Sequence, residues 1–427
     1  MIILFGAIYT FQFFLLISFL FNSYKKSGFS FKLGICFSLL YFIFIPLFIY
    51  FFYGEVKISK IDFGNTSLET IYLENYNKAN LYLSLFNFSI LIYLYLPLKR
   101  LNKRVKYKKI SLTKYGVMYF FSLFLILVGS GILKGGNWYQ NRHDFFISAG
   151  GLAILITYCY NASKLLLIGS FFYLYENSKL NIFFFIFISV GFGIFDTIIS
   201  GNRIYLFGLL IALAIYFISR LKLKQILILP LIIPVGVFLG YFASIFRHMR
   251  GPLFADGIPT YSKFIETYKS ASLMEPFEIE PLLLGISESV NFNVLMQVFN
   301  DYNSFLYGKT YLKSVVFFIP RSLWESKPHS ITVVAAQEYN AVSLVTTIIG
   351  EMYMNFALIG LMFLPFILIF LEKMMNLMML NNIFNNVILF ILGILFFRMP
   401  FSDELLVFIF LVLILKISNF KFVYGKK

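Results

Sequence analysis

Long apolar runs alternate with short polar connections along this chain, and the runs themselves define the elements. Each run of roughly 20 nearly charge-free residues is long enough, as a helix, to cross a hydrocarbon layer of about 30 Å. They predict spans at 2–22, 31–53, 80–98, 116–134, 150–175, 181–199, 203–219, 225–246, 352–371, 384–398 and 403–418, eleven in all. The 150–175 run carries Asn161 and Lys164. Splitting it there into two short helices would make twelve.

The polar connections choose between these counts. The 99–114 connection holds eight Lys/Arg residues and no acid, and "RLKLK" (220–224) is similarly basic. Basic short loops lie on the cytoplasmic side, so an even number of spans must separate the two, and four do so only if 150–175 is one span. Eleven spans put the N-terminus outside and the basic end "KFVYGKK" inside. The opening "MIILFGAIYTFQFFLLISFLFNSYKK" has neither a basic start nor a small-residue cleavage site, and is expected to be a first span.

The same topology places His143, His248, His329, Trp138 and Trp324 outside. It divides the chain into spans 1–246, a long outer loop 247–351, and spans with a cytoplasmic tail 352–427. About half of the chain's 20 acids fall in that loop. Within it, 286–302 places Val290, Val294, Leu295, Val298, Phe299 and Tyr302 along one helical face, and 310–318 fits a short helix at the bilayer surface. Aromatic residues here suit packing on the spans or contact with sugars. The expected class is an all-α polytopic membrane protein whose outer loop is partly helical.

Composition agrees with that class. Of 427 residues, 59% are hydrophobic and 13% charged, too few charges to cover a soluble protein of this size. The net charge of +16 would suit a nucleic-acid binder, but it sits largely in the short connections, so no nucleic-acid partner is expected. Cys36 and Cys159 lie in apolar runs and form no disulfide framework or metal cluster. No HExxH, DxD, CxxC, phosphate loop or dinucleotide fingerprint occurs, and "EPFEIEP" (275–281) is a short solvated acidic run, so neither a metal nor a cofactor is expected.

The candidate chemistry is on the outer side. Arg203, Arg247, Arg250 and Arg398 stand at outer span ends, with Arg321 and Lys327 in "FIPRSLWESKPHS" (318–330). Each could snorkel or pair with Asp196, Glu351 or Asp403. As a set they suit phosphate or pyrophosphate, which the planar guanidinium grips through paired hydrogen bonds. Asp196 is expected to be an arginine's structural partner. Glu351, Asp403 and Glu404 stand at outer boundaries; Glu351 could be a general base or simply an acid placed near a helix N-terminus. His248 and His329 are weaker candidates. Trp324 could stack on a sugar or belong to an interfacial belt.

The segments "YGKTYLKSVVFFIPRSLWESKP" (307–328) and "TTIIGEMYMNFALIG" (346–360), with "SGNR" (200–203) upstream, resemble the bacterial Wzy family of O-antigen and capsule repeat-unit polymerases. Ala357 stands where that pattern usually has glycine. The resemblance implies a GT-C-like fold in the bacterial inner membrane with its active site facing the periplasm. It implies metal-independent transfer of a growing glycan from undecaprenyl diphosphate to the non-reducing end of another undecaprenyl-diphosphate-linked repeat. A separate chain-length regulator is a possible partner. On this reading Arg203, Arg247, Arg250, Arg321, Arg398 and Lys327 hold pyrophosphate, Glu351 is the preferred base with Asp403 and His329 behind it, and Trp324 and Tyr353 contact sugar. An O-antigen ligase, or a flippase for lipid-linked glycans, is the alternative.

Overall fold

A computed structural model describes residues 2–53, 55–56, 67–68, 70–97, 112–134, 141, 150–218, 241, 245–246, 248–274, 289–317, 319, 323–341, 344–378 and 382–419. Among the described residues the fold is helical apart from one two-residue antiparallel pairing, β1 (Glu55–Val56) with β2 (Ile71–Tyr72). The helices are α1 (Ile2–Ser27), α2 (Phe31–Leu39), α3 (Ile45–Tyr53), α4 (Asn77–Tyr95), α5 (Leu112–Gly129), α6 (Gly150–Glu176), α7 (Ile182–Ser200) and α8 (Ile204–Ile218). The 247–351 region then contributes α9 (Tyr261–Met274), α10 (Ser289–Asp301), α11 (Lys309–Val315) and α12 (Ile331–Glu338). Finally come α13 (Thr347–Phe356), α14 (Gly360–Met378), α15 (Ile383–Arg398) and α16 (Phe401–Asn419). Among the described residues six helical segments are long and apolar enough to cross a membrane, and α8 and α15 are shorter apolar helices. The predicted span 225–246 lies almost wholly outside the described residues.

Local sequence accounts for several boundaries. Ser30, Asn181 and Asn382 each accept a hydrogen bond from the backbone N–H three residues on, at 3.2, 2.7 and 2.8 Å, and so start α2, α7 and α15. Between α2 and α3 the chain widens into a π-turn, Leu40–Phe44. Pro46, just beyond it, cannot donate to the carbonyl one turn back and its ring crowds that turn; widening the helix accommodates both. At the C-terminus of α4 the ammonium of Lys32 donates to the carbonyls of Tyr93 and Leu94 at 3.0 and 3.2 Å, and to that of Leu96. These are the acceptors a helix end leaves open.

α15 is the axis of the bundle, buried almost along its whole length and packed by α2, α6, α8, α13 and α16. Its crossing with α2 is possible because two glycines meet. A Cβ on Gly34 would come 2.1 Å from the Phe390 carbonyl oxygen, and one on Gly393 would come 2.4 Å from that of Phe31. Small residues at such a crossing let two backbones touch, which is how helices associate when lipid is as apolar as their side chains. On the outer faces of α1, α5, α7 and α14, Phe14, Phe121, Phe187 and Phe366 are exposed, as a lipid-facing surface requires.

One expectation holds and two are modified. The 150–175 run is one helix, as the eleven-span count requires, and Lys164 finds a buried partner rather than breaking the segment. The 352–371 span is not continuous: α13 ends at Phe356, a 3₁₀ turn (Ala357–Ile359) follows, and α14 begins at Gly360. The carbonyls of Met354 and Asn355 accept from the N–H groups of Leu306 and Tyr307, both at 3.0 Å, instead of from the next helical turn. The 286–302 helix was expected to bury one face. Instead every residue of α10 from Phe292 to Phe299 is buried, packed among α3, α4 and α13. Its off-face positions, Asn293 and Gln297, are interior as well; Gln297 donates to Asn293 at 2.6 Å.

Candidate functional site

Short polar contacts gather where the C-termini of α7 and α15 meet the N-terminal parts of α6, α13 and α16. Glu351, in the second turn of α13, is fully buried with both carboxylate oxygens occupied. Thr310 on α11 donates to Oε1 at 2.8 Å, and the Phe401 backbone N–H, at the start of α16, donates to Oε2 at 2.7 Å. Asn355, one turn on, donates at 2.8 Å both to Thr310 Oγ1 and to the Glu351 carbonyl. Glu351 therefore ties α11, α13 and α16 together. Its oxygens point at protein donors, which is the geometry of a clamp rather than of a base facing substrate.

Asp403, two residues into α16 from Phe401, is the carboxylate that solvent can reach. Its side chain is 31% exposed; Lys313 of α11 lies 3.4 Å away and Tyr158 of α6 donates to it at 3.2 Å. Thr310 and Lys313, three residues apart on α11, thus face Glu351 and Asp403 respectively, as helical spacing dictates. Between them Tyr311 stacks on Phe356, with ring centroids 5.7 Å apart, and touches Phe401 at 5.0 Å. Burial first, and then the charge of Glu351, push the Tyr311 phenol well above its ordinary value, so it stays a neutral donor.

Further along α6 is a buried ion pair. Lys164 Nζ and Asp196 Oδ2 are 2.7 Å apart, with the side chains 1% and 2% exposed. Asp196 also accepts from Tyr119 at 2.9 Å and from Tyr160. The ammonium lies 4.4 and 4.1 Å from the ring centroids of Tyr160 and Tyr205. An arginine was expected beside Asp196; the structure places Lys164 of α6 there. Glu404 is buried, with Lys164 and Arg398 as the cations nearest in electrostatic effect, and its Oε2 has no hydrogen-bond partner among the described residues.

The "SGNR" segment is a helix-to-helix turn. Gly201 closes α7 in the left-handed conformation (φ 66°), and Asn202 accepts from the Ile204 N–H at 3.2 Å to open α8. Arg250 donates to the Gly201 carbonyl at 3.2 Å, which brings it to the turn that carries Arg203. Arg398 ends α15 half-buried, its guanidinium 3.1 Å from Met399 Sδ.

The other predicted residues fare differently. Arg247 and Arg321 lie outside the described residues. Lys327 is buried and donates to the carbonyls of Phe317 and Ile319 at 2.9 and 2.7 Å, so it staples its own loop. Tyr353, expected to contact sugar, is a core residue: its ring sits 5.6, 5.1 and 5.8 Å from those of Tyr82, Phe299 and Phe305. Burial of α10 draws it inward. Trp324 is half-buried and donates to Ser326 at 2.9 Å, and His329 is exposed.

Sequence reasoning passed over Lys164, Lys313 and Tyr158 as site residues. A signal existed for Lys164 alone: a lysine deep in an apolar helix is costly and calls for a partner or a task. Among the described residues no group of three or more His, Cys, Asp or Glu is arranged to hold a metal ion. The chain matches no protein-family model, and no curated protein or solved structure is significantly similar to it.

Proposed function

We propose that this protein is a metal-independent membrane glycosyltransferase of the Wzy type, polymerising lipid-diphosphate-linked repeat units at the outer face of the bacterial inner membrane. The observation that carries the reading is the gathering of Glu351, Asp403, Lys313 and Arg398 at one end of the bundle, with Arg250 at the Arg203 turn. It is joined by the likeness of 307–328 and 346–360 to that family. Asp403 is the better placed base: partly exposed and polarised by Lys313, it takes the proton of the acceptor hydroxyl as the oxygen attacks the donor's anomeric carbon. The bond from that carbon to the pyrophosphate oxygen breaks, and the charge gathering on the departing undecaprenyl diphosphate is met by Arg203, Arg250 and Arg398. Preorganised cations in a water-poor site are the natural means for this. Glu351 holds α11 and α16 in register around them.

The test is an in vitro reaction of purified protein with its lipid-diphosphate repeat unit and no other acceptor, resolved on a gel. A ladder of longer lipid-linked glycans supports the polymerase; unchanged substrate from a folded preparation overturns it. Asp403→Asn should abolish the ladder and keep the thermal unfolding temperature. Glu351→Gln should keep measurable activity and lower that temperature. The reverse pattern would make Glu351 the base. The exposed His329 favours the ligase as second reading, which would give product only when a different acceptor is added.

A further inference from the structure

α11 is amphipathic in the reverse sense from a water-facing helix. Its polar residues Thr310 and Ser314 are buried and Lys313 turns to Asp403, whereas Leu312 and Val315 are 45% and 66% exposed. A helix lying on a soluble surface hides its apolar stripe and shows its polar one. The apolar side of α11 also continues into a second surface. Tyr311 stacks on Phe356, Phe356 meets Phe363 at 5.4 Å, and exposed Ile359 in the 3₁₀ turn is followed by exposed Met362 and Phe366 in the first turns of α14. α14 belongs to one of the segments apolar and long enough to cross a membrane, so its exposed face is a lipid-facing face. The exposed Lys309 opens α11 and adds a cation at its start.

We infer that α11 lies in the membrane interface with Leu312 and Val315 in lipid hydrocarbon and Lys309 among the headgroup phosphates. The occupant of the exposed apolar face is the bilayer itself, in the manner of an interfacial amphipathic helix. Because the opposite face of the same helix carries Thr310 and Lys313, the site then stands open to the membrane's edge. A headgroup could reach the Lys313–Asp403 pair laterally, without first entering water. The inference about the bilayer stands whether or not the chain is a polymerase.

The experiment places single cysteines at Leu312→Cys, Val315→Cys and, as a polar control on α12, Gln337→Cys, an exposed position. Each is labelled with bimane in nanodiscs of phosphatidylethanolamine and phosphatidylglycerol, with the unmutated chain labelled alike to measure the background from Cys36 and Cys159. Replacing the acyl chains by brominated ones should cost emission at 312 and 315 and leave 337 unchanged, while aqueous iodide should quench 337 alone. Iodide quenching at 312 and 315 with no effect of bromine would overturn the inference. Protection of both from either quencher would also overturn it, because protein rather than lipid would then cover the face. All three positions are exposed, so the substitutions leave the core intact; a matching elution profile confirms folding.

Discussion

The charged residues inside the bundle work as members of sets. Lys164 is tolerated in an apolar helix because one carboxylate and two ring faces surround its ammonium. Removing one member of a buried pair leaves the other charged and uncompensated, at a cost of about 3–5 kcal/mol, whereas replacing both by well-fitting neutral groups is often tolerated. Lys164→Ala should therefore markedly lower the thermal unfolding temperature in detergent. Lys164→Met combined with Asp196→Asn, which keeps an acceptor for Tyr119 and Tyr160, should recover most of the loss. If the double variant were no better than the single one, the pair would have some role beyond mutual neutralisation. The sequence marked Asp196 as the structural partner of an arginine and missed Lys164, which is on another helix and is brought to it by how α6 and α7 cross.

Two elements owe their shape to the backbone. The break between α13 and α14 turns on Ala357, whose φ of 51° and ψ of −140° belong to glycine's territory. Such strain costs on the order of 1–3 kcal/mol and collects near functional sites; this break follows Asn355, at the end of the short helix that carries Glu351. Ala357→Gly should relieve it. Offset by the extra freedom of glycine in the unfolded chain, the change should stabilise the protein by about 1 kcal/mol, read as a higher unfolding temperature. The second element is the α2–α15 crossing. Gly393→Ala would drive a methyl into the Phe31 carbonyl, and overpacking of this kind costs about 1–3 kcal/mol. A drop in unfolding temperature checks it; an unchanged temperature would mean that the two helices can slide apart. Hydropathy located α2 and α15 well and covered parts of α13 and α14 with one span, 352–371. It was blind to the break and to the crossing, since neither a torsion angle nor a contact between backbones changes the count of apolar residues.

At the scale of the whole molecule, the hydrogen bonds sort the helix ends into two groups, as an alternating path through a membrane requires. Glu351, Asp403, Asp196 and Arg250 mark one end; Lys32 with Tyr93, Glu372 accepting from Tyr93 at 2.8 Å, and Glu176 accepting from Tyr216 mark the other. A membrane-impermeant maleimide applied to spheroplasts should label Gln337→Cys and spare Lys108→Cys, which lies in the basic 99–114 connection, until the membrane is opened. Labelling of both in sealed cells would refute the assigned orientation.

The amino-acid sequence by itself determined the class: long apolar runs with few charges have no stable form except helices in a lipid-like solvent, where every backbone group must be satisfied within its own segment. Counting spans also led to the expectation that Glu351, Asp403 and the arginines share one side. Only the tertiary structure decided which of these groups meet. Tyr158 and Asp403 are 245 positions apart and Thr310 and Glu351 are 41 apart, and α10 is drawn into the bundle by neighbours on three other helices. Local pattern carries solvent preference residue by residue; hydrogen-bond partners and burial on all sides arise from distant segments arriving at the same place.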